Sequence, residues 1–181
     1  MAAAADNDPV ILVGADDVAI GTAGKLDAHR RGLKHRAISV LVRNTAGEIL
    51  LQQRHPAKYH SGGLWANACC SHPLPDESTA DAARRRLKEE MGITCPLTPL
   101  FIFDYRAPVS DDLIENELVH VFGGTYDGRI APDPTEVAQW KWMRFDDLAA
   151  ELRDKPEHYA VWFRKYVAAH GGLILGWLTR G

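Results

Sequence analysis

The sequence predicts a single α+β domain. Short apolar segments with strand-like alternation fill much of the chain and are separated by turn-forming residues. Two other segments, residues 80–91 and 159–167, carry apolar side chains at helical spacing. Of the 181 residues, 46% are hydrophobic, which suffices for one ordinary core, and no repeat or linker divides the chain. We therefore expect one domain over residues 10–181, preceded by a flexible tail of residues 1–9.

Strands are predicted where apolar, β-branched or aromatic residues are bounded by Gly, Asn or Asp. Residues 44–47, Asn-Thr-Ala-Gly, are predicted to form a turn that joins two of these strands as a hairpin. The predicted strands span residues 10–13, 37–43, 48–54, 65–72, 98–107, 115–126 and 139–144.

The helix that ends before residue 92 has the clearest termini. Ser78 and Asp81 have the spacing of a capping box (with Asp in place of Glu), and Gly92 follows the last apolar residue. The remaining helical predictions are a polar loop or short helix over 21–32, and helices over 146–152 and 159–167. The apolar segment 173–178 is expected to pack on the body of the domain.

Composition excludes several classes of protein. The net charge of −3 and the scattered basic residues argue against a nucleic-acid-binding surface. No apolar run reaches the roughly 18 residues of a transmembrane helix, and the first residues lack the features of a secretory signal. Three cysteines, an odd number, suit a reducing compartment better than a disulfide framework. We therefore expect a soluble cytoplasmic protein with no nucleic-acid or membrane partner.

The segment 64–73 contains two adjacent cysteines and a histidine close to a tryptophan. In an extended strand, side chains alternate between faces, so Cys70 and His72 should share one face and Cys69 should lie on the other. We therefore expect Cys70, rather than Cys69, to be the reactive thiol. The alternative is that these small residues only pack, since free cysteines are often buried. A redox pair of Cys69 and Cys70 is disfavoured because a disulfide between neighbouring residues is strained.

The acidic pair Glu115 and Glu117 opens a predicted strand. The same alternation places both carboxylates on one face, with Asn116 turned away. Two carboxylates that face together repel each other unless a cation or a shared proton lies between them. The alternative is a pair of exposed charges at the end of a strand.

Together these features resemble a known family, the type I isopentenyl diphosphate isomerases, over roughly residues 10–162. The resemblance implies a Nudix-like fold, in which a mixed β-sheet is sandwiched between helices. The residues that carry it are Cys70-x-His72-Pro73 after Trp65 and Asn67, the pair Glu115 and Glu117, and His35 ahead of a strand.

Segment 71–93 matches the Nudix box, G-x5-E-x7-R-E-U-x-E-E-x-G-U, imperfectly. Ser71 replaces the opening glycine, and Arg86 replaces the glutamate of the Arg-Glu pair. That glutamate normally helps to hold metal for diphosphate hydrolysis, so the exchange disfavours a hydrolase. The matching positions are Glu77, Arg85, Leu87, Glu89, Glu90, Gly92 and Ile93.

The resemblance also implies two divalent cations and a set of substrate-binding residues. One ion (Mn, Zn or Mg) would be held by imidazoles and carboxylates, which suit all three metals. A Mg²⁺ on Glu90 would bridge oxygens of the substrate diphosphate. The implied metal ligands of the first ion are His29, His35, His72, Glu115 and Glu117. The implied substrate contacts are Lys25, Arg54, Lys58 and Arg86 at the diphosphate, with Trp65 and Trp162 facing a cationic intermediate.

The implied reaction converts isopentenyl diphosphate into dimethylallyl diphosphate. Cys70 and Glu117 would add and remove protons on opposite sides of the substrate, with Tyr105 assisting near Glu117. Which of the two is the acid in the forward direction stays open. The alternatives are a Nudix hydrolase acting on a nucleoside or prenyl diphosphate, and a metal-stabilised scaffold without catalysis.

Overall fold

The computed structural model describes residues 8–180. Most of the predicted tail, residues 1–9, therefore lies outside the described residues. Pro9 already belongs to the first strand, because it pairs with Gly24 of the next strand. The first strand thus begins one residue before its predicted start at residue 10.

A nine-stranded mixed sheet forms the centre of the molecule. Its only parallel pairing among the described strands joins β3 to β8, and the other pairings are antiparallel. The strands are β1 (Pro9–Val13), β2 (Ala19–Gly24), β3 (His35–Arg43), β4 (Ile49–Arg54), β5 (Trp65–Asn67), β6 (Cys69–Ser71), β7 (Thr98–Ser110), β8 (Leu113–Thr125) and β9 (Val137–Met143). The helices are α1 (Lys25–Arg31), α2 (Thr79–Met91), α3 (Phe145–Asp154) and α4 (Val161–Leu178), with a short 3₁₀ turn at Pro156–His158.

The alternating side chains of β3 explain why helices cover both faces of the sheet. Ile38 and Val40 lie in a core shared with α2, whereas Ala37 and Leu41 lie in a core shared with α3 and α4. A strand that is apolar on both faces must be buried on both. The predicted sheet between helices is therefore confirmed.

Helix α2 begins and ends where the sequence predicts. The Ser78 side chain accepts a hydrogen bond from the backbone N–H of Asp81 at 3.1 Å, and its hydroxyl donates to the Asp81 carboxylate at 2.6 Å. Gly92 ends the helix with φ 68°, a conformation that favours glycine. A Cβ atom there would also lie 2.6 Å from the backbone oxygen of Ala131.

Helix α4 is longer than predicted and includes the apolar tail. It bends at His170, where φ is −126°, and then continues to Leu178. Ile174 and Leu178 are buried, which confirms that the tail packs on the body. The Arg43 guanidinium donates to the backbone carbonyls of Trp177 and Leu178. Within residues 8–180, no helix has the combined length and apolar character that a membrane span requires.

Two local predictions were wrong. The segment 65–72 is not one strand, because β5 pairs with β4 whereas β6 pairs with β3, and Ala68 lies between them. Strand β2 was not predicted, and it takes up residues 21–24 of the expected loop or short helix. Four of its six residues are exposed, so it buries no apolar face that a sequence pattern could reveal.

Replacing Leu87 by Ala should destabilise the protein by about 2–5 kcal/mol, because Leu87 is buried in the core under α2. Denaturant unfolding measures this change. Lys88→Ala is the matched control on the exposed face of the same helix. An equal effect of the two substitutions would contradict the assignment of Leu87 to the core.

Candidate active site

Three histidines meet a glutamate at one end of strands β3 and β8. His35 begins β3 and lies directly opposite Glu117 in the parallel register with β8. His29 comes from α1, which Gly32 ends in the left-handed conformation, φ 60°. His72 follows β6 on the other side of β3. Four elements thus bring one ligand atom each to a single place, within 4.8 Å of one another.

Glu117 is at the centre of this group. Its Oε1 atom lies 3.1 Å from His72 Nε2, 3.4 Å from His35 Nε2 and 3.8 Å from His29 Nε2. The Glu117 residue is only 8% exposed. Burial alone would raise the pKa of the Glu117 carboxyl, but the His35 and His72 rings hold that pKa well below its ordinary value. Burial also lowers the pKa of His72 to about 3, so its ring is neutral.

Two of the histidines have their tautomers fixed by backbone carbonyls. His29 Nδ1 lies 2.7 Å from the Lys25 carbonyl oxygen, and His35 Nδ1 lies 2.8 Å from that of Leu33. A carbonyl only accepts, so both Nδ1 atoms carry protons, and the neutral form of each ring would present a lone pair on Nε2. His29 Nε2 is buried without a hydrogen-bond partner. Ring nitrogens that face a carboxylate in this way fit a divalent cation, because metal-binding histidines commonly donate their other ring N–H to a carbonyl.

Tyr105 connects the two predicted carboxylates. Its hydroxyl donates to Glu115 Oε2 at 2.7 Å and lies 3.2 Å from Glu117 Oε2. The Oε1 atom of each glutamate therefore faces the histidines. Burial and the neighbouring charge of Glu117 raise the pKa of Glu115 well above its ordinary value. Burial likewise raises the pKa of Tyr105, so the phenol keeps its proton.

His60 is a member of the site that sequence reasoning missed. Its Nε2 atom lies 3.5 Å from Glu115 Oε1, and it forms a second candidate metal-binding group with His29 and Glu115. Burial, and then the charge of Arg54, lowers the pKa of His60 to about 2. Its only signal in the sequence is its position two residues after Lys58, in the loop that leads to β5.

Cys70 and Cys69 point to opposite sides of β6. Cys69 is fully buried in the core under α2, whereas Cys70 packs against the other core and lines the same pocket as His72. The Cys70 thiol donates to Asn67 Oδ1 at 3.0 Å and lies 3.0 Å from Ser39 Oγ. Burial raises the pKa of Cys70 to about 12, so the thiol keeps its proton at neutral pH. The setting is therefore not that of a low-pKa, readily alkylated cysteine.

The cationic side chains of the prediction gather in this pocket, together with two glutamates. Lys58 pairs with Glu136, and Arg86 Nη2 donates to Glu90 Oε1 at 2.7 Å and lies 3.8 Å from Glu136 Oε1. Glu136 was not predicted, since its loop carries no recognisable pattern. The predicted residues that line the pocket are Lys25, Arg54, Lys58, Cys70, His72, Arg86, Glu90, Glu115, Glu117 and Trp162.

Glu90 lies apart from the histidine group, at the cationic part of the pocket. It is 3% exposed, and its second oxygen accepts a hydrogen bond from Gln52 Nε2 at 3.2 Å. Among the described residues, Glu90 thus belongs to neither candidate metal-binding group and lies beside Arg86 and Gln52.

The two predicted tryptophans differ in their surroundings. Trp162 is buried and lines the pocket, with the Arg54 guanidinium 5.2 Å from its ring centroid. Trp65 is not among the residues that line the pocket. Its ring lies beneath the Lys141 ammonium at 4.5 Å. The structure therefore does not bring Trp65 to the predicted site.

Comparison with known proteins identifies the family. Residues 33–166 match the NUDIX domain model. The curated "Isopentenyl-diphosphate Delta-isomerase 2" of Aromatoleum aromaticum is 51% identical over 155 residues, which cover 86% of this chain and 82% of that protein. The chain belongs to the isopentenyl-diphosphate Delta-isomerase family. The "Isopentenyl-diphosphate Delta-isomerase" of Burkholderia multivorans is 49% identical and covers 92% of this chain, with 94% of its own length matched.

Solved structures support the fold alone. DR0079 from Deinococcus radiodurans superposes with a TM-score of 0.68 over 82% of this chain and 90% of that chain, at 19% identity. A MutT protein from Methanosarcina mazei gives 0.64 over 77% of this chain and 94% of that chain, at 20% identity. The Nudix-like fold and the family resemblance drawn from Cys70, His72 and the Glu115–Glu117 pair are thus confirmed.

Alkylation by iodoacetamide should be slow at Cys70 near pH 7 and should rise about tenfold per pH unit up to pH 10, because only the thiolate reacts and the pKa of Cys70 is about 12. Mass spectrometry of the labelled peptide follows the rate, and Cys70→Ser identifies the signal. A rate that levels off below pH 9 would show a thiol of ordinary pKa and contradict the burial argument.

Proposed function

We propose that this protein converts isopentenyl diphosphate into dimethylallyl diphosphate. The main support for this proposal is that one pocket contains a thiol, a buried pair of carboxylates and several cationic side chains. The cations suit a diphosphate, and the thiol and carboxylate suit the addition and removal of protons. The curated names of relatives at about 50% identity support the same reaction.

The diphosphate would be held by Lys25, Arg54, Lys58 and Arg86. Guanidinium groups bind phosphate oxygens through two parallel hydrogen bonds, whereas lysines act as point charges. Glu90 fits a Mg²⁺ that binds through one carboxylate and phosphate oxygens. Such an ion would neutralise charge between Glu90 and the diphosphate.

A divalent metal ion would be held by His29, His35, His72, Glu115 and Glu117. The unpartnered His29 Nε2 and the converging lone pairs support this proposal. The donor set of imidazoles and carboxylates suits Mn, Zn or Mg. When bound, the ion would supply the positive charge that keeps both carboxylates in place inside the protein.

The proton transfers would be divided between Cys70 and Glu117. Cys70 lies on β6 and Glu117 on β8, with β3 between those strands. One group adds a proton to the terminal alkene carbon, and the other removes a proton from C2. The roles are exchanged in the reverse reaction. Ser39 and Asn67 orient the thiol, and the Tyr105 hydroxyl orients Glu117.

A cationic intermediate needs stabilisation in a pocket that excludes water. The ring of Trp162 lines this pocket, and cation–π attraction contributes about 2 kcal/mol or more when the partners are desolvated. We include Trp162 in the proposed substrate site. Trp65 is left out because its ring lies against Lys141.

Hydrolysis of the diphosphate is the weaker alternative. Arg86 donates to Glu89 Oε2 and Glu90 Oε1, both at 2.7 Å, and Arg85 binds both oxygens of Glu77. The box glutamates are thus neutralised by arginines, which weakens them as a metal cluster that activates water. A scaffold function is disfavoured because metal ligands alone would not require the oriented Cys70 thiol.

We also propose that the protein acts in the cytoplasm, with a small diphosphate as its partner. The three cysteines are free, which suits a reducing compartment.

Turnover of isopentenyl diphosphate in deuterated water should place deuterium in dimethylallyl diphosphate, since both proposed groups exchange protons with solvent. Glu117→Gln should remove this incorporation, whereas Glu157→Gln, at an exposed position that does not line the pocket, should not. NMR of the product measures the label. Release of inorganic phosphate at the rate of substrate loss, without allylic product, would favour the hydrolase.

His72→Ala should lower bound metal and thermal stability together, because an ion that binds only the folded state stabilises that state. Elemental analysis gives the metal content, and thermal unfolding with and without a chelator gives the stabilisation. His158→Ala, at an exposed histidine, is the control. Equal metal content in the His72→Ala variant and the parent would remove His72 from the site.

A further inference from the structure

We infer that His60 is a further ligand of the divalent metal ion, so that four imidazoles and two carboxylates converge on it. This inference rests on the metal centre proposed above and adds a ligand to it. His60 is absent from the residues that the family resemblance implies. Three observations support it: the position of the His60 ring, the single nitrogen of His29 that can bind metal, and the orientation of the Glu115 carboxylate.

The His60 ring is held firmly beside the proposed ligands. It is buried, stacks on His29 with centroids 5.7 Å apart, and contacts Tyr59 and Trp162 edge-on at 4.4 and 6.0 Å. A loop histidine that merely packed would need no particular edge turned toward a carboxylate. Here the Nε2 edge faces Glu115 Oε1 at 3.5 Å.

The hydrogen bonds of His60 suit a ligand. Its Nδ1 lies 3.3 Å from Ser61 Oγ. If Nδ1–H donates to that hydroxyl, the neutral ring presents a lone pair on Nε2, as in His29 and His35. The 3.5 Å separation of Nε2 from Glu115 Oε1 is longer than the usual N–H···O hydrogen bond. A cation bound by both His60 Nε2 and Glu115 Oε1 would explain why these two atoms lie close together without a hydrogen bond between them.

His29 links the two candidate metal-binding groups. His29 belongs to the group with His35, His72 and Glu117 and also to the group with His60 and Glu115. Its Nδ1 donates to the Lys25 carbonyl, so only Nε2 can bind metal. One nitrogen lone pair binds one ion. An ion bound by His29 Nε2 would therefore lie between the two groups, which share only His29.

The orientation of Glu115 agrees with this arrangement. Tyr105 holds the Oε2 atom of Glu115 at 2.7 Å. Glu115 Oε1 is then directed to His60, just as Glu117 Oε1 is directed to the other histidines. Each carboxylate thus contributes one oxygen on the histidine side. The resulting set has six donors, the number that an octahedral ion uses.

A fourth imidazole has a consequence for metal preference. Imidazole suits Zn, Ni and Co better than Mg, whereas carboxylates suit Mg and Mn. His60 should therefore favour Co²⁺ and Zn²⁺ over Mg²⁺ at this site. Its removal should weaken Co²⁺ binding by at least about tenfold, by analogy with the loss of supporting groups at metal sites.

The test uses the full-length protein, stripped with a chelator and reloaded with Co²⁺. X-ray absorption spectroscopy counts the imidazole ligands, and competition with a chromophoric chelator gives the Kd. We expect four imidazoles in the parent and three in His60→Ala, with a weaker Kd. His60→Gln, which keeps size and polarity, should also show three. His120→Ala is the control, because His120 binds Asp17 instead of the site.

Thermal unfolding of the metal-free variants shows whether the fold is kept. Three imidazoles in both the parent and His60→Ala would overturn the inference and leave the proposed metal centre intact. A parent protein that binds no Co²⁺ would overturn the inference and the metal centre together. The isomerase reaction itself is judged separately, by the deuterium in its product.

Discussion

The buried carboxylate of Glu117 is the constraint on which the site depends. A charge removed from water is costly unless cations or hydrogen-bond donors surround it. The parallel register of β3 and β8 places His35 beside it, and α1 and the residue after β6 supply His29 and His72. Backbone hydrogen bonding between the strands therefore determines which of these side chains lie next to each other. The cost of burying Glu117 is offset by its hydrogen bonds to His72 and Tyr105, and a cation at that point would offset it further.

The pocket proposed for the diphosphate contains cationic side chains that pair with carboxylates. Glu136 pairs with Lys58, and Glu90 pairs with Arg86. Such pairing keeps long side chains in place, which reduces the ordering cost when an anion binds. It also means that an arriving diphosphate competes with carboxylates. If Glu90 held a divalent cation, as proposed, the positive charge of that ion would reduce the repulsion between Glu90 and the diphosphate.

The family resemblance implied the layered fold, and the structure brings most of the site residues that it implied into one pocket. The alternation around Cys70 was correct even though the strand is broken at Ala68, since β6 alone sets the directions of both cysteines. His60 could not be found this way, because a loop has no period. Trp65 does not line the pocket, although it lies close to Cys70 in the sequence. Proximity in sequence does not determine which neighbour a ring contacts, and here that neighbour is Lys141.

Helix α2 shows how a fold can be kept while its chemistry changes. Its buried apolar side chains, such as Ala83, Leu87 and Met91, hold it on the sheet. Glu89 and Glu90 are not part of that apolar core. Arg86 can therefore replace a carboxylate on the pocket side at little cost to packing. The exchange adds a donor fork that binds Glu89 and Glu90. A helix surface that would hold metal to activate water becomes one suited to holding an intact diphosphate, while the proposed proton transfers use residues from β6 and β8.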